Sequence, residues 1–202
     1  LLTSTAFITY LTLYYSNNIY DEMIVDSVFQ AVSIGTTSGF LTSNYSSWPL
    51  FVPIMLLIAA FIGACAGSTG GGIKVIRALI LLRQGSSEIT KLIHPNAVVT
   101  IKFGRKTLDP RVSESVWGFF AVYVATFLII LMFLLSQNID FLSAFSAVGA
   151  TLNNLGPGLG IVAENYKNIS DASKLALCMA MLLGRLEIFT LLLLFTPAFW
   201  RN

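Results

Sequence analysis

Apolar positions run along this chain in long blocks, not in the alternating or one-faced patterns of a water-soluble fold. No charged residue occurs between Asp26 and Lys74, a gap of 47 residues. As one helix that gap would be about 70 Å long, against about 30 Å of hydrocarbon in a bilayer. The segment must fold back or enter a membrane more than once. Shorter charge-free blocks follow at Ser115–Ile139, Phe141–Ala163 and Ile188–Trp200. The first and last read as spans. The middle one is rich in Gly, Asn, Pro and Ser and does not.

The pattern predicts four spanning helices, at about Leu1–Tyr15, Trp48–Ala66 with a continuation to Leu82, Ser115–Ser136 and Ser173–Phe199. Trp48, Trp117 and Trp200 fall near span ends, as interface aromatics do. Pro49 and Pro53 sit early in the second span, where a missing N–H matters least. Composition agrees: hydrophobic residues are 55% and charged residues 11%, where a soluble domain carries about 25% charged. That argues against a soluble globular domain and against a disordered chain.

The position of the charges orients the spans. Lys74, Arg77, Arg83, Lys91, Lys102, Arg105, Lys106 and Arg111 cluster in the segment from Lys74 to Arg111, which leads from the end of the second span to the third. By the positive-inside rule this linker is cytoplasmic, and Arg201 falls on the same side. The opposite side holds Asp21, Glu22, Asp26, Asp140, Glu164 and Asp171 against Lys167 and Lys174. The basic segment lacks interleaved aromatics, so nucleic acid is not expected as a partner. Cys65 and Cys178 lie in apolar runs and read as small buried hydrophobes. His94, the single histidine, lies beside Pro95 in the linker.

The chain repeats itself. Phe29-Gln30-Ala31-Val32 recurs as Phe145-Ser146-Ala147-Val148 at an offset of 116, and Thr36-Thr37-Ser38-Gly39 faces Asn153-Asn154-Leu155-Gly156 at an offset of 117. A one-residue slip joins the two matches, and Asp26 and Asp140 each open one of the short segments. Each unit reads as span, short helix, Gly-containing turn, span. Asp26 to Gly35 is about 15 Å of helix, half a membrane. Such a helix can enter from outside and stop at the midplane, with free carbonyls and the negative dipole end pointing inward. Irregular backbone at that depth is tolerated only inside protein or along a watery path.

The turn residues fit a cation path. Gly39, Gly156 and Gly158 let carbonyls point toward an axis, and Thr36, Thr37, Asn153 and Asn154 offer further oxygens. Neither turn carries a charge, which favours a monovalent cation read by carbonyls over a divalent one read by carboxylates. A membrane-embedded enzyme is the rival class. It would need a dyad or metal cluster, and the sequence offers only Glu187 and Arg185 at depth.

These residues resemble the Trk/Ktr/HKT superfamily of potassium transporters. Thr36-Thr37-Ser38-Gly39-Phe40 looks like the filter of that family's third repeat, and Asn153-Asn154-Leu155-Gly156-Pro157-Gly158 like the fourth. Gly67-Ser68-Thr69-Gly70-Gly71-Gly72-Ile73-Lys74 is similar to the glycine-rich break in the third repeat's second helix. Gly184-Arg185-Leu186-Glu187-Ile188-Phe189-Thr190, with Thr196-Pro197-Ala198-Phe199-Trp200, resembles the TrkH branch in particular; the Ktr branch usually has Gly where Glu187 stands.

The resemblance implies an all-α integral membrane fold made of two repeats: transmembrane helix, re-entrant pore helix, filter loop, transmembrane helix. Residues 1–84 form the third repeat, 85–113 a basic cytoplasmic linker and 114–202 the fourth repeat. The implied function is potassium uptake across a bacterial inner membrane, with a Ktr-type sodium-dependent subunit or another cation permease as alternatives. The filter would comprise Thr36, Thr37, Ser38, Gly39, Asn153, Asn154, Leu155 and Gly156, with K+ at Thr36, Thr37, Asn153 and Asn154. The gate would comprise Gly70, Gly71, Gly72 and Arg185. No cofactor is implied beyond the potassium ion as substrate. The implied partners are membrane lipid, two missing N-terminal repeats of the same chain, a second copy in a homodimer, and a cytoplasmic nucleotide-binding regulatory subunit of the TrkA kind.

Two features admit other readings. A phosphate loop needs Gly-Lys-Ser/Thr, but Ile73 separates Gly72 from Lys74 and Val75 follows. Gly63, Gly67 and Gly71 could serve helix packing at i, i+4 spacing, yet three consecutive glycines hold a helix poorly. Arg185 in an apolar helix must face the bundle interior or water. Glu187, two residues on, points elsewhere and does not pair with it within the helix.

Overall fold

The computed structural model describes residues 1–16, 22–63, 71–94, 102–103, 106–107 and 109–186. Seven α-helices lie among these residues: α1 Leu2–Tyr15, α2 Met23–Gly35, α3 Phe51–Ile62, α4 Val75–Ile93, α5 Pro110–Ser136, α6 Phe141–Leu152 and α7 Asp171–Arg185. A two-residue antiparallel pairing, β1 Lys102–Phe103 with β2 Lys106–Thr107, sits in the basic segment, a small β element that an all-α expectation omits.

α5 alone among the described residues is long and apolar enough to cross a bilayer, over residues 111–136. Asp109 starts it by accepting the Arg111 N–H, and Pro110 fills the first turn, where no N–H is needed. Its outward face is Leu128, Ile129 and Met132, all exposed. A helix in water would place polar residues there. The other spans differ from the simple expectation. α1 is 14 residues and α3 is 12, short of the roughly 20 that cross a hydrocarbon core. The second span is two helices, α3 and α4, separated by the glycine break. The second half of the fourth span, with Glu187 and the C-terminal motif, lies outside the described residues.

Two boundaries move. α4 continues through Gly85 to Ile93, so the predicted linker is helical at its start. α2 begins at Met23, so Asp26 lies inside its first turn instead of opening the helix. Asp26 is buried and accepts the Thr42 hydroxyl at 2.7 Å. Asp140 does cap its helix, accepting the Ser143 N–H at 3.0 Å.

Two apolar cores form. Leu13, Ile34, Val52, Leu56 and Ala60 join α1, α2 and α3. Leu134, Val148, Leu152, Leu177 and Ala180 join α5, α6 and α7. Phe61 and Phe145 pack against both, with ring centroids 6.3 Å apart and Phe127 5.7 and 5.2 Å from them. This aromatic seam fixes the α2 and α6 units side by side.

Candidate functional site

α2 and α6 end in the same way. The Thr37 N–H donates to the Ile34 carbonyl at 3.1 Å and the Ser38 N–H to Ser33 at 2.9 Å. The Asn154 N–H donates to Thr151 at 3.0 Å and the Leu155 N–H to Ala150 at 2.8 Å. Each pair forms a Schellman motif, which requires a left-handed residue just past the helix. Thr37 (φ 58°) and Asn154 (φ 54°) fill that position. Gly39 and Gly156, two residues on, also have positive φ, 79° and 104°. Every one of these correspondences has an offset of 117. The helix ends therefore share one register, and the Phe29 and Phe145 tetrapeptides sit one residue out of it. No donor among the described residues reaches the carbonyls of Thr36, Thr37, Ser38, Asn153, Asn154 or Leu155.

The two turns touch. A β-carbon on Gly39 would collide with the Leu155 carbonyl oxygen and stand 3.4 Å from Pro157 Cδ. Glycine is needed there both for φ and for the close approach. Side chains brace the turns from behind. The Ser33 hydroxyl lies 3.2 Å from that of Ser38 and donates to the Phe40 carbonyl at 2.6 Å. The Thr36 hydroxyl returns to Val32 of its own helix at 2.7 Å. Asn154 Nδ2 donates to the Met181 carbonyl of α7 at 3.3 Å. Outside the turns lies a cavity of about 550 Å³, lined by Gly39, Thr42, Leu155, Gly156, Glu164 and Tyr166 among others. The Tyr45 hydroxyl donates to the Gly158 carbonyl at 2.9 Å and Tyr166 to that of Gly156 at 2.8 Å. Burial pushes the Tyr45 phenol up to about 12. Burial, and then the neighbouring Tyr45, pushes Tyr166 up as well.

The described end of the glycine break, Gly71–Gly72, lies directly against the second turn. α3 stops at Gly63 (φ 67°), and the Ile73 N–H returns to the Phe61 carbonyl at 3.0 Å. A β-carbon on Gly71 would collide with the Asn153 carbonyl oxygen. One on Gly72 (φ 85°) would stand 3.0 Å from the Ala60 carbonyl and 3.1 Å from Asn153 Oδ1. Gly70 lies outside the described residues. On the far side, Gly184 of α7 is so close that a β-carbon would collide with the Leu152 carbonyl oxygen. Arg185, the next residue, is exposed.

The structure thus brings Gly39, Asn153, Leu155, Gly71 and Gly72 into one cluster, with Gly184, the residue before Arg185, packed against the neighbouring Leu152 carbonyl. Sequence reasoning missed Tyr123, Tyr45, Tyr166 and Gly184. A tyrosine hydroxyl within an apolar span was the available signal for Tyr123, because a buried hydroxyl takes a partner.

The sequence model of a family described as TrkH, cation transport protein, matches residues 12–202. The Trk system potassium uptake protein TrkH of Salmonella typhimurium is 52% identical over 189 residues, which are 92% of this chain and 39% of that protein. Its Vibrio parahaemolyticus namesake is 56% identical over 176 residues, 87% and 36% of the two chains. TrkG of Escherichia coli is 41% identical over 178 residues, 88% and 37%. The crystal structure of the potassium transporter TrkH from Vibrio parahaemolyticus superposes with a TM-score of 0.91 at 50% identity, covering 99% of this chain and 43% of that one. The chain spans less than half the length of these relatives.

Proposed function

Because this chain belongs to the TrkH family of cation transport proteins, we propose that it forms the third and fourth repeats of a potassium-uptake protein of the bacterial inner membrane. α2 and α6 are re-entrant pore helices, and the turns Thr36–Gly39 and Asn153–Gly156 line half of an ion path. Carbonyls of these turns replace water around a dehydrated potassium ion, and Thr36, Thr37, Asn153 and Asn154 contribute from the inner end. The negative ends of α2 and α6 favour the cation at the base of the turns. The Gly71–Gly72 segment and Arg185 obstruct the path on its cytoplasmic side. The basic linker and the C-terminus face the cytoplasm, two further repeats complete the path, and a second copy and a nucleotide-binding regulatory subunit of the TrkA kind assemble with it.

One observation carries this reading. Two helices 117 residues apart end in identical bonding, and their turns, where the carbonyls of Thr36 to Ser38 and Asn153 to Leu155 meet no donor among the described residues, touch at Gly39 and Leu155. The test replaces the matching segment of the Salmonella typhimurium relative with this chain in cells lacking other potassium uptake. Rubidium and sodium uptake are then compared for the parent, Gly39→Ser and Gly156→Ser. The expected result is a lowered rubidium-to-sodium ratio in the Ser variants. An unchanged ratio, with the proteins present in the membrane, would overturn the assignment.

A further inference from the structure

The two turns are not fastened alike. Thr36 and Asn153 hold equivalent positions, just past their helices. Thr36 is exposed and its hydroxyl stays on its own helix. Asn153 is fully buried, and its side chain turns away into the core. There Oδ1 accepts the Tyr123 hydroxyl of α5 at 2.9 Å, and Nδ2 is buried without a partner among the described residues. Tyr123 is itself buried, flanked by Phe119 at 6.0 Å and Phe61 at 6.5 Å between ring centroids. Phe61 is the residue whose carbonyl holds Ile73 at the end of the glycine break. The same Asn153 receives Gly71 on its carbonyl and Gly72 beside its Oδ1.

We infer that Tyr123 is a positioning residue for the ion path: its hydroxyl, through the Asn153 side chain, holds the base of the second turn and the Gly71–Gly72 segment in one fixed relationship. The inference rests on the reading of the Asn153 turn as part of the filter. Among the described residues Asn153 has one side-chain hydrogen bond, at a fully buried position. Removing its donor leaves a buried amide with no satisfied end. The amide is expected to turn toward the nearest polar groups, which are the backbone of its own turn and of the glycine segment. Thr36 has no such tether to a spanning helix, so the effect is confined to one turn.

The experiment uses the full-length protein described above and reads the rubidium-to-sodium ratio, which is independent of how much protein reaches the membrane. Tyr123→Phe should lower the ratio about fivefold or more, the scale of one lost buried hydrogen bond. In an Asn153→Leu background, Tyr123→Phe should change nothing further, because its action passes through that side chain. If the Phe variant is absent from the membrane, Asn153→Ser removes the acceptor and should lower the ratio likewise. An unchanged ratio in Tyr123→Phe or Asn153→Ser, alongside an altered ratio in Gly156→Ser, overturns this inference and leaves the filter reading standing. An equal loss in the Leu background also overturns it. An unchanged ratio in Gly156→Ser overturns the filter reading, and this inference with it.

Discussion

Thr37 and Asn154 stand 117 residues apart and share a left-handed backbone, φ 58° and 54°, at the same step beyond their helices. A β-branched residue in this region is strained by about 1–2 kcal/mol, and Asn by less. Both are held by the two Schellman bonds that terminate the helices. The strain releases the next carbonyls from helical bonding at the point where the two turns converge.

The glycines that follow are not equivalent. A β-carbon on Gly39 meets the Leu155 carbonyl, whereas one on Gly156 has nothing within 4 Å. Gly39→Ala should destabilise the folded protein by several kcal/mol, combining an overpacked contact with a strained φ. Gly156→Ala should cost about 1–3 kcal/mol, from φ alone. Thermal unfolding in detergent, with both variants on the same scale, separates these outcomes.

Much of this arrangement could be read from the residues. The uncharged run from Asp26 to Lys74 announced a broken path, and the glycines marked the break that separates α3 from α4. The start of α2 at Met23 is not legible, because Asp26 looks like a cap although it is buried against Thr42. The meeting of Gly71 with Asn153 was illegible, since neighbours 82 residues apart leave no local pattern. Tyr123 sits among Phe119, Phe120 and Phe127 and reads as core until its partner on another element is seen.

Gly85 offers a contrasting case. It lies within α4, and a β-carbon there meets nothing within 4 Å. Its φ is not positive, so no conformational need opposes alanine. Gly85→Ala should stabilise the helix by about 0.5–1 kcal/mol. The measurement is the unfolding temperature, which should rise with transport unchanged.

Tyr45 predicts sensitivity to alkali. Its folded-state phenol is pushed up to about 12 by burial, against about 10 when unfolded. Between these values the folded state holds the extra proton. Its contribution is therefore full below pH 10 and is lost as pH rises toward 12. Tyr166 shifts in the same direction. Tyr45→Phe should flatten the fall in unfolding temperature between pH 9.5 and 11.5, read by thermal melts across that range (the window follows from the two values above).

Asp140 predicts the opposite limb. Hydrogen bonds from the Ser143 hydroxyl and N–H hold its carboxyl below the ordinary value. The folded state thus releases its proton more readily. The stabilisation is present above the unfolded value of about 3.9 and is lost as pH falls through the folded one. Asp140→Ala should also cost about 1 kcal/mol at neutral pH, as loss of an N-cap does. Melts at neutral and acid pH should show the variant's deficit shrinking as the wild type is protonated.

Arg185 follows Gly184, which α7 presses against the last carbonyl of α6. That contact brings the backbone just before Arg185 up to the end of α6, next to the Asn153 turn, and on the proposed reading the Arg185 charge faces the path. A fixed positive charge near a potassium ion raises the energy of the ion there, more strongly in a low-dielectric setting than in water. Removing the charge lowers that barrier while leaving the turn in place. Arg185→Ala should therefore raise basal rubidium uptake several-fold, whereas Arg185→Lys, which keeps the charge, should stay near the parent. Lower or equal uptake in the Ala variant, at matched amounts in the membrane, would show that the arginine anchors α7 instead of obstructing the path.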